Sequence, residues 1–508
     1  MREHSPSNTG SAENRGHTPP RIAIGASTSN DTLQAAHEAA DQLLGRTGAQ
    51  DLQLLLVFFS PQHVDRAEEL AALLQSRLKP HTLLGVSSFA PICGERELER
   101  GPSISLMGFC VPGLRCTAVA LDDLPEVAHA EQANLEPTHE EQPPTESAPY
   151  EDAAAATPSS PADTSHPWLD ALALRDHDAF AVLTLVDPFS VAMTQLLPDI
   201  QLALSSRAAA LPQCLRPTLV GGLASSSMKA GGNALLLGSR VLRAGGVVCT
   251  LSGPLHIDCV VSQGCRPIGA PMIVTRAKNN LVYELGGSPV LDVIERALQP
   301  LGDQREAYLR RGLFLGLAAD EFKPRFGRGD FLIRNVVAGD RELGYIAIAD
   351  VPRIGQTVRL HVRDPKAATE DLELLLDAQK LYDAPLGALL ITCNSRGERF
   401  FGGSGHDARA VARLFDTREQ SPDPRIDPLP SPLWIPPPQA AVDAEAEDPL
   451  SNAPLYDPSV TPPAIAGFFA AGEIGPVGPR SHLHGHTACV VLFRERLGNT
   501  QNEHTRSE

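Results

Sequence analysis

Aromatic residues make up only 5% of this 508-residue chain, so any core it builds must be aliphatic, packed from Leu, Val and Ala. Its nine cysteines are an odd number with no C-x-x-C pair, which fits reduced thiols rather than a disulfide framework or a zinc ribbon. No apolar run approaches a membrane span, and the polar stretch from Met1 to Pro20 lacks the apolar segment of a secretory signal. A cytoplasmic protein with no membrane partner is expected. Positive charge is scarce as well. The net charge of −18 argues against nucleic acid, which needs a cationic face. Between Thr117 and Leu174 there is no Lys or Arg at all, while twelve carboxylates fall there, two-thirds of the net charge. The rest of the chain is therefore much nearer neutrality. Phosphate loops and dinucleotide fingerprints are missing too, and Gly402-Gly-Ser-Gly-His406 ends in His where a nucleophile elbow needs Gly. No cofactor is expected.

Three stretches have too little apolar density to offset chain ordering: residues 1–20, about 122–167 and about 417–463. The last two read as insertions, because strong structural signals flank them. Those signals recur three times. In the first unit the apolar run from Asp51 to Ser60 reads as a buried strand. A helix follows with Val64, Ala67, Leu70, Leu74 and Leu78 inward, then Leu83 to Ser88 and a strand from Ser103 to Phe109. The second unit runs through the strand Ala179 to Val186, a helical stretch to about Leu211, Leu219 to Ser227 and the strand Ala234 to Gly238. The third has Gly387 to Asn394, a helix marked by Ala408, Val411, Ala412 and Phe415, then Ile465 to Glu473 and Ala488 to Phe493. Such repetition implies duplication.

The intervening segments are richer in strand. Val247 to Leu251 and His256 to Val261 frame Gly253-Pro254 as a hairpin, and Phe331 to Val337, Gly344 to Ala349 and Gln356 to Val362 are three more strands. Helices are expected over Val290 to Leu301 and Thr369 to Leu381. The fold class is mixed α/β (α+β), in two domains of repeated strand–helix–strand units with additional β-rich segments.

Several blocks resemble the FIST family. Ala466-Gly-Phe-Phe-Ala-Ala-Gly-Glu-Ile-Gly-Pro476 followed by Leu483-His-Gly-His-Thr487 is similar to the end of a FIST C-terminal domain, and Gly327 to Asn335 and His361 to Asp364 resemble its earlier strands. Gly85 to Ser88, Gly221 to Ala224 and Ser262 to Gly269 resemble the N-terminal domain. The resemblance implies an N-terminal domain over about 21–279 and a C-terminal one over about 280–496, with tails at 1–20 and 497–508. It also implies a non-catalytic sensor of a small ligand such as an amino acid, acting in signal transduction through a signalling protein partner, since no output domain is read in the chain.

Candidate binding residues follow from chemistry. Glu473 and Arg480 pair a carboxylate for an ammonium with a guanidinium for a carboxylate, the halves of a zwitterion clamp; a salt bridge or cap is the plainer reading. Ligands gather at carboxyl ends of strands in open α/β sheets, which marks Asn394 and Arg396 as exposed candidates, and Ser87, Ser88 and Ser225 likewise. An ordinary turn would use the same residue types. His482, His484 and His486 share one face if extended, so His484 and His486 are candidates for ligand hydrogen bonding, with metal as the alternative. Cys265 beside Arg266 is a candidate reactive thiol, against a buried structural one. Two further readings therefore stay open: an enzyme using the histidines or Cys265, and an interaction scaffold docking a basic partner on its acidic insertions.

Overall fold

The computed structural model describes residues 21–48, 51–126, 166–211, 216–415 and 462–496. The stretches read as unstructured lie almost wholly outside these residues.

Each of the three units is built the same way: an edge strand, a helix, a strand, a crossover helix, a strand parallel to it, a hairpin and a closing strand. In the first unit these are Arg21–Ser27, Thr32–Thr47, Leu54–Phe59, Ala67–Leu78, Thr82–Ser87, the hairpin Pro91–Cys93 with Arg96–Glu97, and Ile104–Cys110. The second runs from Arg115–Ala120 through the short helix Trp168–Ala171, then Ala179–Val186, Met193–Ala210 and Thr218–Leu223 to Gly246–Ser252, with its hairpin at Leu235–Leu237 and Arg240–Leu242. The third uses Leu255–Gln263, Pro365–Gln379, Gly387–Cys393, Glu398–Phe401 with His406–Ala412, Ile465–Ala470, the hairpin Glu473–Val477 with Arg480–His484, and Thr487–Glu495. The edge strand and helix at 21–47 carry no counterpart in the reading from sequence. Asp31 caps that helix, accepting from the Gln34 N–H, and Gly25 lets its backbone lie against the strand, since a Cβ there would stand 2.1 Å from the Ala39 oxygen.

The hairpins are exchanged. The second unit's hairpin extends the first unit's sheet beside Thr82–Ser87, the third's extends the second's beside Thr218–Leu223, and the first's extends the third's beside Ile465–Ala470. Each sheet of six strands is thus completed by a neighbour, in a cyclic order. The central strands are covered on both faces, which is why LLLVFF, AFAVLTLV and GALLITC read as continuous apolar runs. Their inner faces share one core, where Phe58 stacks on Phe468 with ring centroids 5.5 Å apart and Phe109 meets Phe493 edge-on at 5.0 Å.

The hairpin expected at Gly253-Pro254 is not formed. Gly246–Ser252 pairs with Arg115–Ala120 and Ala179–Val186, whereas Leu255–Gln263 pairs with Thr487–Glu495. The turn hands the chain from one sheet to the next. Between Leu255–Gln263 and Pro365–Gln379 the chain makes a closed barrel, in which Cys265–Lys278, Thr357–Arg363, Leu313–Ala318, Phe331–Asp340, Tyr345–Ile348 and Leu281–Leu285 pair in turn, and the last returns to the first. The three strands read at 331–362 all belong to it. Helices Val290–Leu298 and Arg305–Arg311 pack on it. No described helix is long and apolar enough to cross a membrane.

Candidate functional site

The parallel pairs deliver their carboxyl ends to a common junction. Ser225, just past the second unit's parallel pair, ties all three units: its N–H reaches the Ser87 carbonyl, and its hydroxyl donates to the Phe469 carbonyl and accepts from the Phe89 N–H. Ser87 is part of a closed network, its hydroxyl meeting Ser226 at 2.8 Å and accepting from the Ala234 N–H. The Ser88 hydroxyl is buried with no partner.

The third unit ends differently. Its first parallel strand runs into Cys393-Asn-Ser-Arg396, and Arg396 is 0% exposed, not at the surface as its turn-like sequence implies. Its Nε and Nη2 grip both oxygens of buried Asp407 at 2.8 and 2.9 Å. Thr392 and His406 also donate to that carboxylate, and although burial raises it, the Arg396 charge and the hydrogen bonds from His406 and Arg396 hold Asp407 well below the usual carboxylate range. Beneath it Glu97, from the exchanged hairpin of the first unit, accepts the N–H groups of Gly405, Asp407 and Ala408; burial and the nearby Asp407 push its carboxyl up to about 8. The Arg396 Nη1 is left over. It lies above Gly264, where a Cβ would come within 3.1 Å of it.

Glu473, at the base of the third unit's hairpin, is 0% exposed. Its Oε2 accepts from the Thr487 hydroxyl at 2.6 Å and the Thr487 N–H at 3.2 Å, while Oε1 is buried without a hydrogen-bond partner. Burial dominates and pushes this carboxyl up to about 8, against the pull of Thr487, of Arg396 nearby and of a hydrogen bond from the Cys393 thiol. Half-buried Asn394 likewise has a buried, unpartnered Oδ1.

His486 closes the cluster. Its Nδ1 faces the Ser395 hydroxyl at 2.9 Å and its Nε2 faces the Asn335 Oδ1 at 2.7 Å, so a neutral ring accepts from Ser395 and donates to Asn335. Asn335 belongs to the barrel, as do Arg363, which donates to the Ser395 carbonyl at 2.6 Å, and Phe314, which packs on His486. The site therefore lies at the seam between the third unit and the barrel.

Two expectations change in the structure. Arg480 sits at the exposed turn of the hairpin, opposite Val477 and four residues along the strand from the Glu473–His484 pair, so the two cannot clamp one small ligand; Arg396 stands near Glu473 instead. The three histidines do not share a face. Gly485 breaks the strand and His486 turns away with φ of 65°, while buried His484 faces the Gly475 carbonyl at 3.0 Å. Burial lowers His482 and His484 to about 4 and His486 to about 3, so all are neutral at physiological pH. Among the described residues no group of three His, Cys, Asp or Glu is arranged to hold a metal. Burial pushes the Cys265 thiol up to about 12, the reverse of activation, despite Arg363 and Arg396 nearby.

Reading the sequence missed Asp407, Glu97, Ser395 and Thr487. Ser395 and Thr487 adjoin residues that were singled out; Glu97 and Asp407 are joined only by the exchanged hairpin, across a sequence separation of 310.

Comparison with known proteins agrees with this architecture. The FIST N domain model matches residues 53–288 and the FIST C domain model residues 291–420. An uncharacterized protein of Mycobacterium tuberculosis (strain ATCC 25618 / H37Rv) is 33% identical over 479 residues, covering 93% of this chain and 99% of its own. Another, from Mycobacterium bovis (strain ATCC BAA-935 / AF2122/97), is 30% identical over 475 residues, covering 93% and 98%. A solved structure of cyanuric acid hydrolase aligns over 68% of this chain and 100% of its own at 10% identity, with a TM-score of 0.23, too low to carry an argument. With both domain models matched in order along one repeated fold, the chain belongs to the FIST family.

Proposed function

We propose that this protein senses a small zwitterionic metabolite, such as an amino acid, at the seam between its third unit and the barrel. FIST domains are associated with sensory signal transduction. One observation carries the reading: Arg396 Nη1 and Glu473 Oε1 are buried polar atoms of opposite character, near enough for their charges to interact and left without partners, and the Oδ1 of Asn394, two residues before Arg396, is unpartnered as well. Unmet buried groups are costly, and a ligand supplying a carboxylate to Arg396 and an ammonium to Asn394 and to Glu473, whose proton it displaces, offsets that cost. Contacts from Asn335, Phe314 and Arg363 link the same cluster to the barrel, so occupancy has a route to altered barrel packing and a signalling partner.

The test is thermal unfolding against a panel of amino acids. A binder at a hundred times its Kd adds about 2.7 kcal/mol, and Glu473→Gln or Asn394→Ala abolishes the shift. A panel without a shift, or a hit indifferent to both variants, overturns the reading.

A further inference from the structure

The cations that reach the seam between the third unit and the barrel can be matched with their counter-ions one at a time. Arg396 is held by Asp407. Arg334 pairs with Asp350 at 2.6 Å, and Arg266 stands 3.4 Å from Asp364. Arg363, the last residue of the barrel strand Thr357–Arg363, is different. Its Nη2 donates to the Ser395 carbonyl, its guanidinium lies 3.9 Å from the centroid of the Phe400 ring, and its Nε is buried with no hydrogen-bond partner. Among the described residues no carboxylate pairs with it. The next residue, Asp364, is engaged elsewhere: it caps the helix Pro365–Gln379 through the N–H groups of Lys366 and Ala367, and it accepts from the Tyr308 hydroxyl at 3.1 Å.

Arg363 belongs to the same electrostatic neighbourhood as the buried cluster. Burial lowers its pKa, and the charges of Arg396 and Arg311 add to that against the Cys265 and Cys393 thiols. His486 and Cys265 each feel both Arg363 and Arg396. The seam also meets solvent here: Arg363, Asn394, Ser395, Phe400 and His486 are half-buried and Asn335 is exposed. While Glu473 holds its proton, Arg363, Arg396 and the exposed Arg311 face Asp407 as the one ionised carboxylate of the group. A neutral zwitterion that displaces the Glu473 proton removes one of the two surplus positive charges and leaves Arg363 unmatched. Half-buried charge without a partner is costly, and a second carboxylate on the ligand removes the remainder.

We propose that the ligand of this site is an acidic amino acid, an α-amino dicarboxylate, and that Arg363 selects it by binding the side-chain carboxylate. The inference rests on the zwitterion reading of the cluster given above and narrows it. The α-carboxylate goes to Arg396 Nη1, the ammonium to Glu473 and Asn394, and the second carboxylate to Arg363 Nε. The Phe400 ring and the Ser395 carbonyl already fix the Arg363 guanidinium, so its orientation is set before the ligand arrives. A side-chain amide in the same place offers a neutral oxygen, which forgoes the charge-assisted bond and leaves the Arg363 charge unmatched. Arg363 comes from the barrel whereas Arg396 and Glu473 come from the third unit, so an acidic ligand bridges the two parts and a neutral one does not.

The experiment is calorimetric titration of the full-length protein with L-glutamate, L-aspartate, L-glutamine and L-asparagine. At least one acid should bind about tenfold or more tighter than its own amide, the value of one charge-assisted hydrogen bond. Arg363→Met should bring that acid-to-amide ratio to about one, and Arg363→Lys, which keeps the charge, should retain part of it. The ratio cancels any loss that both ligands share because the seam is weakened. Equal binding of acid and amide by the wild type overturns the proposal, as does a preference that persists in Arg363→Met or the binding of none of the four. If acid and amide bind equally but both are lost in Glu473→Gln, the zwitterion site stands and only its acidic specificity falls.

Discussion

Replacing Glu473 by Gln keeps its shape and hydrogen-bonding reach while removing a proton-binding site that the fold has displaced from an ordinary 4.5 to about 8. The folded state then holds its proton more tightly than the unfolded chain does. Between those two values folding takes up a proton, so stability falls as pH rises and levels off above the folded value. The carboxyl is fully buried, so solvent screening does not discount the effect. From pH 5 to pH 9 the difference integrates to about 4 kcal/mol of stability lost by the wild type and not by the variant. Glu97, also raised to about 8, imposes a similar slope on both proteins and cancels in the comparison. Urea unfolding at each pH measures the gap directly. The two proteins should differ little at pH 5, and Glu473→Gln should be the more stable by several kcal/mol at pH 9. A gap that does not change with pH, or a variant less stable at pH 9, would mean that Arg396 keeps Glu473 ionised and that the reasoning from burial is wrong.

Two further outcomes test the frame around the site. Gly467→Ala would set a Cβ 1.8 Å from the Leu390 carbonyl oxygen, in the middle of a paired strand that cannot give way; a loss of at least about 3 kcal/mol in urea unfolding is expected, and unchanged stability would refute the parallel register of that pair. Arg396→Met strands the Asp407 charge in the interior and should cost about 3–5 kcal/mol, partly restored when Asp407→Asn is added; a double variant no better than the single one would show that the pair is not coupled as drawn.

Much of the frame was legible because its signals are local. A strand covered on both faces must be apolar throughout, and the runs at Leu54–Phe59, Ala179–Val186 and Gly387–Cys393 show this without reference to anything distant. The repeat was visible for a related reason. The glycines of the second parallel strands are demanded by close approach of a neighbouring carbonyl at 3.0, 1.9 and 1.8 Å, so each copy keeps one. Hairpin exchange was not legible. Short hairpin strands such as Pro91–Cys93 carry no mark of which sheet they will extend, and Gly253-Pro254 has the residues of a hairpin turn although its flanking strands pair elsewhere. Arg396 was misjudged on the same ground, because Asn-Ser-Arg-Gly is turn-like in composition and only the distant hairpin of the first unit, bringing Glu97 over Asp407, puts that turn inside.

The three junctions then read as one backbone device carrying three chemistries. At equivalent positions closing each first parallel strand stand Ser60, Asp187 and Cys393, and three residues on stand His63, Ser190 and Arg396. Fold stability alone needs these ends closed, and the second unit shows how simply that is done: one carboxylate, one hydroxyl and one amide satisfy each other. The third unit keeps the same backbone and forgoes that closure, leaving Arg396 Nη1 and Glu473 Oε1 buried without partners. Each unmet buried group costs roughly 1–3 kcal/mol, a burden with an evident remedy in the same molecule. That the third junction retains it is the observation on which the proposed site at Arg396 and Glu473 rests.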